Sequence, residues 1–258
     1  MCNSSDQTLE FGQKAIVALN NMAVTMLERG CYRQGFETLK GAVKAAKMIN
    51  QPVESYESNT ILHLPYIVNS LRRANHRTAQ PEIPLDRVPV HVIDLAHADL
   101  LSSWNWNKAA TDKGPNYFTY SIIRIDAEAI NFGNEDQDLL MAVILSNFAV
   151  SCLCRVGKSN KDAISSNGET EDRAIKTLTL SANLLCTIFD SCEDEVITFQ
   201  VLIASGAVLT TLARALENRG RSEEAKDCLE TVRNLAEMAG QSIANRSLSP
   251  CARGAPAA

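Results

Sequence analysis

Residues 21–42 read NMAVTMLERGCYRQGFETLKGA. Large apolar residues at Leu19, Met22 and Met26 step by three and four, which predicts a helix with one apolar stripe. A second stripe begins beyond Gly30 and runs through Phe36, Leu39, Val43 and Ala46. The two glycines in this stretch need different reasons. Gly30 falls where the first stripe ends, a position at which a left-handed residue without a Cβ stops a helix at no steric cost. Gly35 lies inside the second helix, where glycine costs about 1 kcal/mol relative to alanine. A small residue at that cost is expected where two helices cross closely. The stretch therefore reads as a helical hairpin.

The same pattern recurs. Met22, Ala23, Met26, Gly30, Gly35, Leu39 and Ala42 have counterparts at identical spacing in Leu212, Ala213, Leu216, Gly220, Ala225, Leu229 and Val232. A third copy holds Phe148, Ala149 and Cys152, then Gly157 one residue late, and after an insert Ala174, Leu178 and Ser181. The insert, KSNKDAISSNGET at 158–170, is rich in Ser, Asn, Asp and Gly and reads as a surface loop. The residue before the first large apolar position is Asn21, Asn147 and then Thr211. Glu223 with Glu224, and Glu171 with Asp172, stand where the second helices begin and complement the positive end of the helix dipole.

This order, Asn-large-Ala-x-x-large, Gly in the turn, then small-x-x-x-Leu-x-x-small, resembles the tetratricopeptide repeat (TPR) at three places, over about half the chain. It departs from that family in lacking the tryptophan near the repeat start and the proline that closes the second helix. Ser181 and Val232 also stand where alanine is usual. The resemblance implies a mainly α protein, a TPR-like α-α superhelix of three helical hairpins, with a small extended or β insertion between the first and second. The chain is laid out as a single domain, 1–258. The first hairpin spans 8–50, the insertion 52–135, the second hairpin 136–190, the third 194–243, and 247–258 reads as a disordered tail. Inside the insertion, VPVHVIDL (88–95) and YFTYSIIRI (117–125) carry the alternation and β-branching of strands and are expected to pair as a small hairpin against the helices. Pro81, Pro84 and Pro89 favour an edge or extended entry.

In TPR proteins the first helix of each hairpin lines an inner groove. Carried over by position, the resemblance selects Asn20, Val24, Ser146, Val150, Thr210 and Arg214, with Asn147 at the edge of the same face. Asn20 and Asn147 can bond a partner's backbone, and Arg214 a carboxylate. For Asn21 and Asn147 the competing reading is a hydrogen bond between helices. The basic residues of the clamp that holds acidic chaperone tails are mostly missing, since Asn20 and Val24 occupy two of those places.

Composition narrows the remaining classes. A net charge of −5 and a pI near 5.5 argue against nucleic acid as a partner of the whole surface, and Arg72, Arg73, His76 and Arg77 read as a solvated turn. The start MCNSSDQTLE is not of secretory type, and no window holds the roughly 18 continuous apolar residues of a membrane span, so a cytoplasmic protein is expected. Eight cysteines without CxxC spacing fit reduced thiols. His91, Asp94, His97 and Asp99 in HVIDLAHAD are possible metal ligands. On a strand, however, His91 and Asp94 face opposite ways, so no metal site is expected. VGKS at 156–159 follows a predicted helix rather than a strand, and neither GxSxG nor HExxH occurs. Trp104 and Trp106, two apart among polar residues, suit packing against the helices or an interface. The expectation is a non-catalytic protein-protein interaction module with no cofactor, the alternative being an enzyme or metal site within 52–135.

Overall fold

A computed structural model describes residues 4–49, 90–95, 120–126, 134–158, 164–191 and 195–248. The protein is mainly helical with a small two-stranded sheet. The elements in chain order are α1 (Ser4–Glu28), α2 (Tyr32–Ile49), β1 (Val90–Leu95), β2 (Tyr120–Ile125), α3 (Asn134–Lys158), α4 (Ile164–Ser191), α5 (Glu195–Asn218) and α6 (Ser222–Leu248). Trp104, Trp106, His97, Asp99, the basic stretch at 72–77 and the tail beyond 248 lie outside the described residues.

The helices pack as three successive hairpins, α1 on α2, α3 on α4 and α5 on α6, and neighbouring hairpins meet through α2 against α3 and α4 against α5. The first and third turns are built alike. Gly30 and Gly220 have φ of 71° and 74°. In the first turn the Gly30 N–H donates to the Leu27 carbonyl at 3.0 Å and the Cys31 N–H to Met26 at 2.8 Å; in the third, Gly220 donates to Glu217 at 2.9 Å and Arg221 to Leu216 at 2.9 Å. These are the two bonds of a Schellman cap, satisfying carbonyls that the helix end would leave open. The 190-residue offset read from the sequence thus holds atom for atom at these caps.

The small residues sit where the helices approach. Ala23, Ala149 and Ala213 on the first helices, and Ala174 and Ala225 on the second, are all buried. A Cβ placed on Gly35 would come within 2.8 Å of Leu27 Cδ2, so glycine there is a packing requirement. Ser181, at an alanine position, is fully buried and donates from Oγ to the Ala142 carbonyl at 2.7 Å, tying α4 to α3.

The second copy differs from its sequence reading. Gly157 does not end α3, which continues through Lys158, and α4 begins at Ile164, so much of the expected loop at 158–170 is helical. Extending a helix already packed at Ala174, Ile175 and Leu178 fixes one residue per added bond, and that outweighs the weak propensities of Ser and Gly. The helical run to Lys158 also places VGKS at a helix end with no strand before it.

α3 is the central helix and touches α1, α2, α4, α5 and β2. Its stretch Gln137–Val156 is long and apolar enough to cross a membrane, but 67% of the window is buried within the protein, as an all-round apolar helix in a core should be. The two strands pair antiparallel as the sequence predicts, in the register Val90↔Ile125, Val92↔Ile123 and Asp94↔Ser121. All six residues of β2 are buried.

Candidate functional site: the inner face of α1, α3 and α5

β2 lies across α1, α3 and α5, the first helix of each hairpin. It meets them in reverse order, and each hairpin supplies one side chain at the matched repeat position. The Ser121 N–H donates to Thr211 Oγ1 at 3.2 Å. Two residues on, the Ile123 N–H donates to Asn147 Oδ1 at 2.8 Å, and the Ile123 carbonyl accepts from Asn147 Nδ2 at 2.7 Å. Two residues further, the Ile125 N–H donates to Asn21 Oδ1 at 3.0 Å, while Asn21 Nδ2 donates to its carbonyl at 2.6 Å.

Strand geometry explains the interval. Peptide groups point alternately to the two edges of a strand, so when Ile122 and Arg124 face β1, those of Ser121, Ile123 and Ile125 face the helices. Successive groups on one edge are separated by about 6.6–6.8 Å, and packed helices by about 8–10 Å, a mismatch that a short side chain can absorb. A carboxamide offers a donor and an acceptor together, the same pair as a peptide unit. Asn21 and Asn147 therefore stand in for a third strand, and Thr211 supplies one acceptor.

Asn20 reinforces this ladder. Its Nδ2 donates to the Ile123 carbonyl at 3.1 Å, and its Oδ1 accepts from Asn147 Nδ2 at 2.8 Å, which links α1 to α3 through the strand. Arg124, also buried, reaches the other way: its Nη2 bonds Glu28 Oε2 at 2.7 Å and Thr25 Oγ1 at 3.1 Å. At the far end Asn218 Nδ2 donates to the Tyr120 hydroxyl at 3.2 Å. Burial and the neighbouring Cys154 push the Tyr120 phenol up to about 12, so it stays protonated.

The groove residues selected from the sequence fall into two sets. Asn20, Val24, Ser146, Asn147 and Val150 are fully buried, and Asn20 and Asn147 bond Ile123 of β2. Ser146 Oγ has no hydrogen-bond partner among the described residues, so the residue contributes its small size there. Thr210 and Arg214 instead line a cavity of about 420 Å³ between β1, α5 and α6, with Val92, Leu202, Ile203 and Gly206. Asn21 and Thr211 were absent from that selection, although their shared place before the first large apolar residue was the available signal.

The alternative site, within 52–135, falls mostly outside the described residues. His91 is half-buried, His97 lies outside the described residues, and no group of three or more His, Cys, Asp or Glu side chains comes together among the described residues. Cys152 and Cys154 are the buried thiols among the described residues. Burial pushes Cys152 up to about 11, against the opposing pull of Arg155, so at neutral pH it is a thiol and a weak nucleophile. Iodoacetamide at pH 8 is expected to modify the exposed Cys186 well before Cys152, read by peptide mass spectrometry. Equal rates would mean that the Cys152 thiolate is far more available than its surroundings allow.

The chain matches no family model, no curated protein and no solved structure.

Proposed function

We propose that this protein is a non-catalytic protein-protein interaction module, a TPR-like scaffold whose groove is filled along its centre by its own strand β2. The observation that carries this reading is the ladder of Asn21, Asn147 and Thr211 on alternate peptide groups of β2. Such a surface is chemically a receptor for extended backbone, because it bonds main-chain groups and so accepts the strand through features every sequence shares. With that line taken in cis, a partner is received on the flank where Thr210 and Arg214 meet Val92 and the cavity between α5 and α6. The outer edge of β1, unpaired with any other described strand, borders the same flank.

Gly206 offers a clean test. A Cβ added there meets nothing within 4 Å, so a leucine is directed into the cavity that Gly206 lines. Gly206→Leu is expected to hold or raise stability, by up to about 1 kcal/mol from helix propensity. It should also deplete the specific partners recovered by quantitative affinity capture with the full chain. Gly206→Leu and Arg214→Ala that both leave every captured partner at wild-type level would remove the flank from the proposal.

A further inference from the structure

A second and larger cavity, about 720 Å³, opens between α2, α3 and α4. None of its lining residues belongs to the strand ladder or to the flank of α5 and α6. Its floor is aromatic and apolar. Phe36 and Phe148 stack with ring centroids 5.2 Å apart at 27°, beside the buried Cys152 and Ala174. Its rim carries Arg155, Arg173 and Lys176, and among the described residues no carboxylate belongs to the lining. That is unexpected in a chain of net charge −5.

Two of the neighbouring carboxylates are directed elsewhere. Glu171 and Asp172 of α4 pair with Arg219 in the turn of the third hairpin, at 3.7 and 2.8 Å. Glu169 does bond Arg173, but both side chains are largely in water, where such a pair is weak and readily exchanged. Arg155 is the best placed cation. Its guanidinium carbon lies over the Phe36 ring, 4.2 Å from the centroid, a cation–π contact. The N–H donors of a guanidinium form a planar fork that matches the two oxygens of a carboxylate.

We infer that this cavity binds a small organic anion, an aromatic body bearing a carboxylate: the body rests on Phe36 and Phe148, and the carboxylate is taken by Arg155 with Arg173 and Lys176 at the rim. The volume falls within the roughly 300–1,000 Å³ of small-molecule pockets. An apolar floor beside the cations Arg155, Arg173 and Lys176 disfavours cationic ligands and neutral ligands of the same shape.

The test compares two probes of nearly the same shape, the anionic 1-naphthaleneacetate and the neutral 1-naphthaleneacetamide, titrated calorimetrically into the full chain. The acetate is expected to bind saturably at one site, and the amide about tenfold or more weakly, since it forfeits the charge-assisted pair. Arg155→Gln should weaken the acetate about tenfold without affecting the amide, Lys176→Gln should weaken it about twofold to threefold, and the distant Lys14→Gln should change nothing. Far-ultraviolet circular dichroism checks that each variant is folded, and the exposed Lys176→Gln serves if Arg155→Gln is not. Equal affinity for acetate and amide, indifference to both cation variants, or no saturable binding at millimolar concentration would each overturn the inference. The partner-binding proposal would stand or fall separately, because its variants lie on α5.

Discussion

Asn147→Ala is expected to lower the stability of the protein by about 3–6 kcal/mol, the largest effect of any single polar substitution in the ladder. The side chain satisfies three buried groups at once: the Ile123 N–H, the Ile123 carbonyl and Asn20 Oδ1. Each buried group left without its partner costs about 1–3 kcal/mol, and Asn20 retains only part of the carbonyl's bonding. Against a total of about 5–15 kcal/mol for a typical domain, that is a large fraction. Asn21→Ala, which orphans the two groups of Ile125, should cost less, and Thr211→Val, which removes one bond at 3.2 Å, about 1 kcal/mol. Urea unfolding followed by circular dichroism reads the series, and the Ile123 amide should lose its protection from hydrogen exchange in Asn147→Ala. If Thr211→Val costs as much as Asn147→Ala, the strand is held by its apolar side chains and the ladder is incidental.

Gly35→Leu is expected to cost about 3 kcal/mol or more, and Gly35→Ala about 1–2. An added Cβ would lie 2.8 Å from Leu27 Cδ2, 3.0 Å from Leu27 Cγ and 3.3 Å from the Ala23 carbonyl oxygen. The first two contacts are the tightest, and Leu27 is buried and has little room to turn; the third, to the backbone of α1, is milder. Overpacking of this kind costs about 1–3 kcal/mol or more, and it exceeds the roughly 1 kcal/mol that alanine gains in helix propensity. The sign is therefore opposite to that at Gly206, where the space is open. A double-mutant cycle isolates the cause. In a Leu27→Ala background, which is itself destabilised, the further penalty of Gly35→Ala should shrink by about 1 kcal/mol or vanish. A penalty that persists undiminished would place the strain in the backbone contact with Ala23.

Much of the architecture was legible because it is written in short-range periodicity. Gly30 and Gly220 mark helix ends since only a residue without a Cβ takes φ near +70° easily, and both do so in the structure. Gly35, Ala174 and Ala225 announce close crossings by their size alone. The strands at 90–95 and 120–125 follow from alternation and β-branching. The reading failed at 158–170 because composition speaks of isolated propensity, while the helix there is propagated from a packed neighbour. Gly168, a loop signal in the sequence, lies within α4 with its Cα side turned to the guanidinium of Arg219, which an added Cβ would approach to 3.4 Å.

Sequence by itself determined the six described helices, the short turns of the first and third hairpins, the two strands and the recurrence of a polar residue at 21, 147 and 211. It could not say what those polar residues bond. An asparagine on a helix has the same local pattern whether its amide meets water, a neighbouring helix or a strand, because hydrogen bonds to segments far along the chain leave no trace in periodicity. Only the tertiary structure decided that Ser121 meets Thr211 across 90 residues and Ile125 meets Asn21 across 104, so that the insertion's own strand lies on the face shared by α1, α3 and α5.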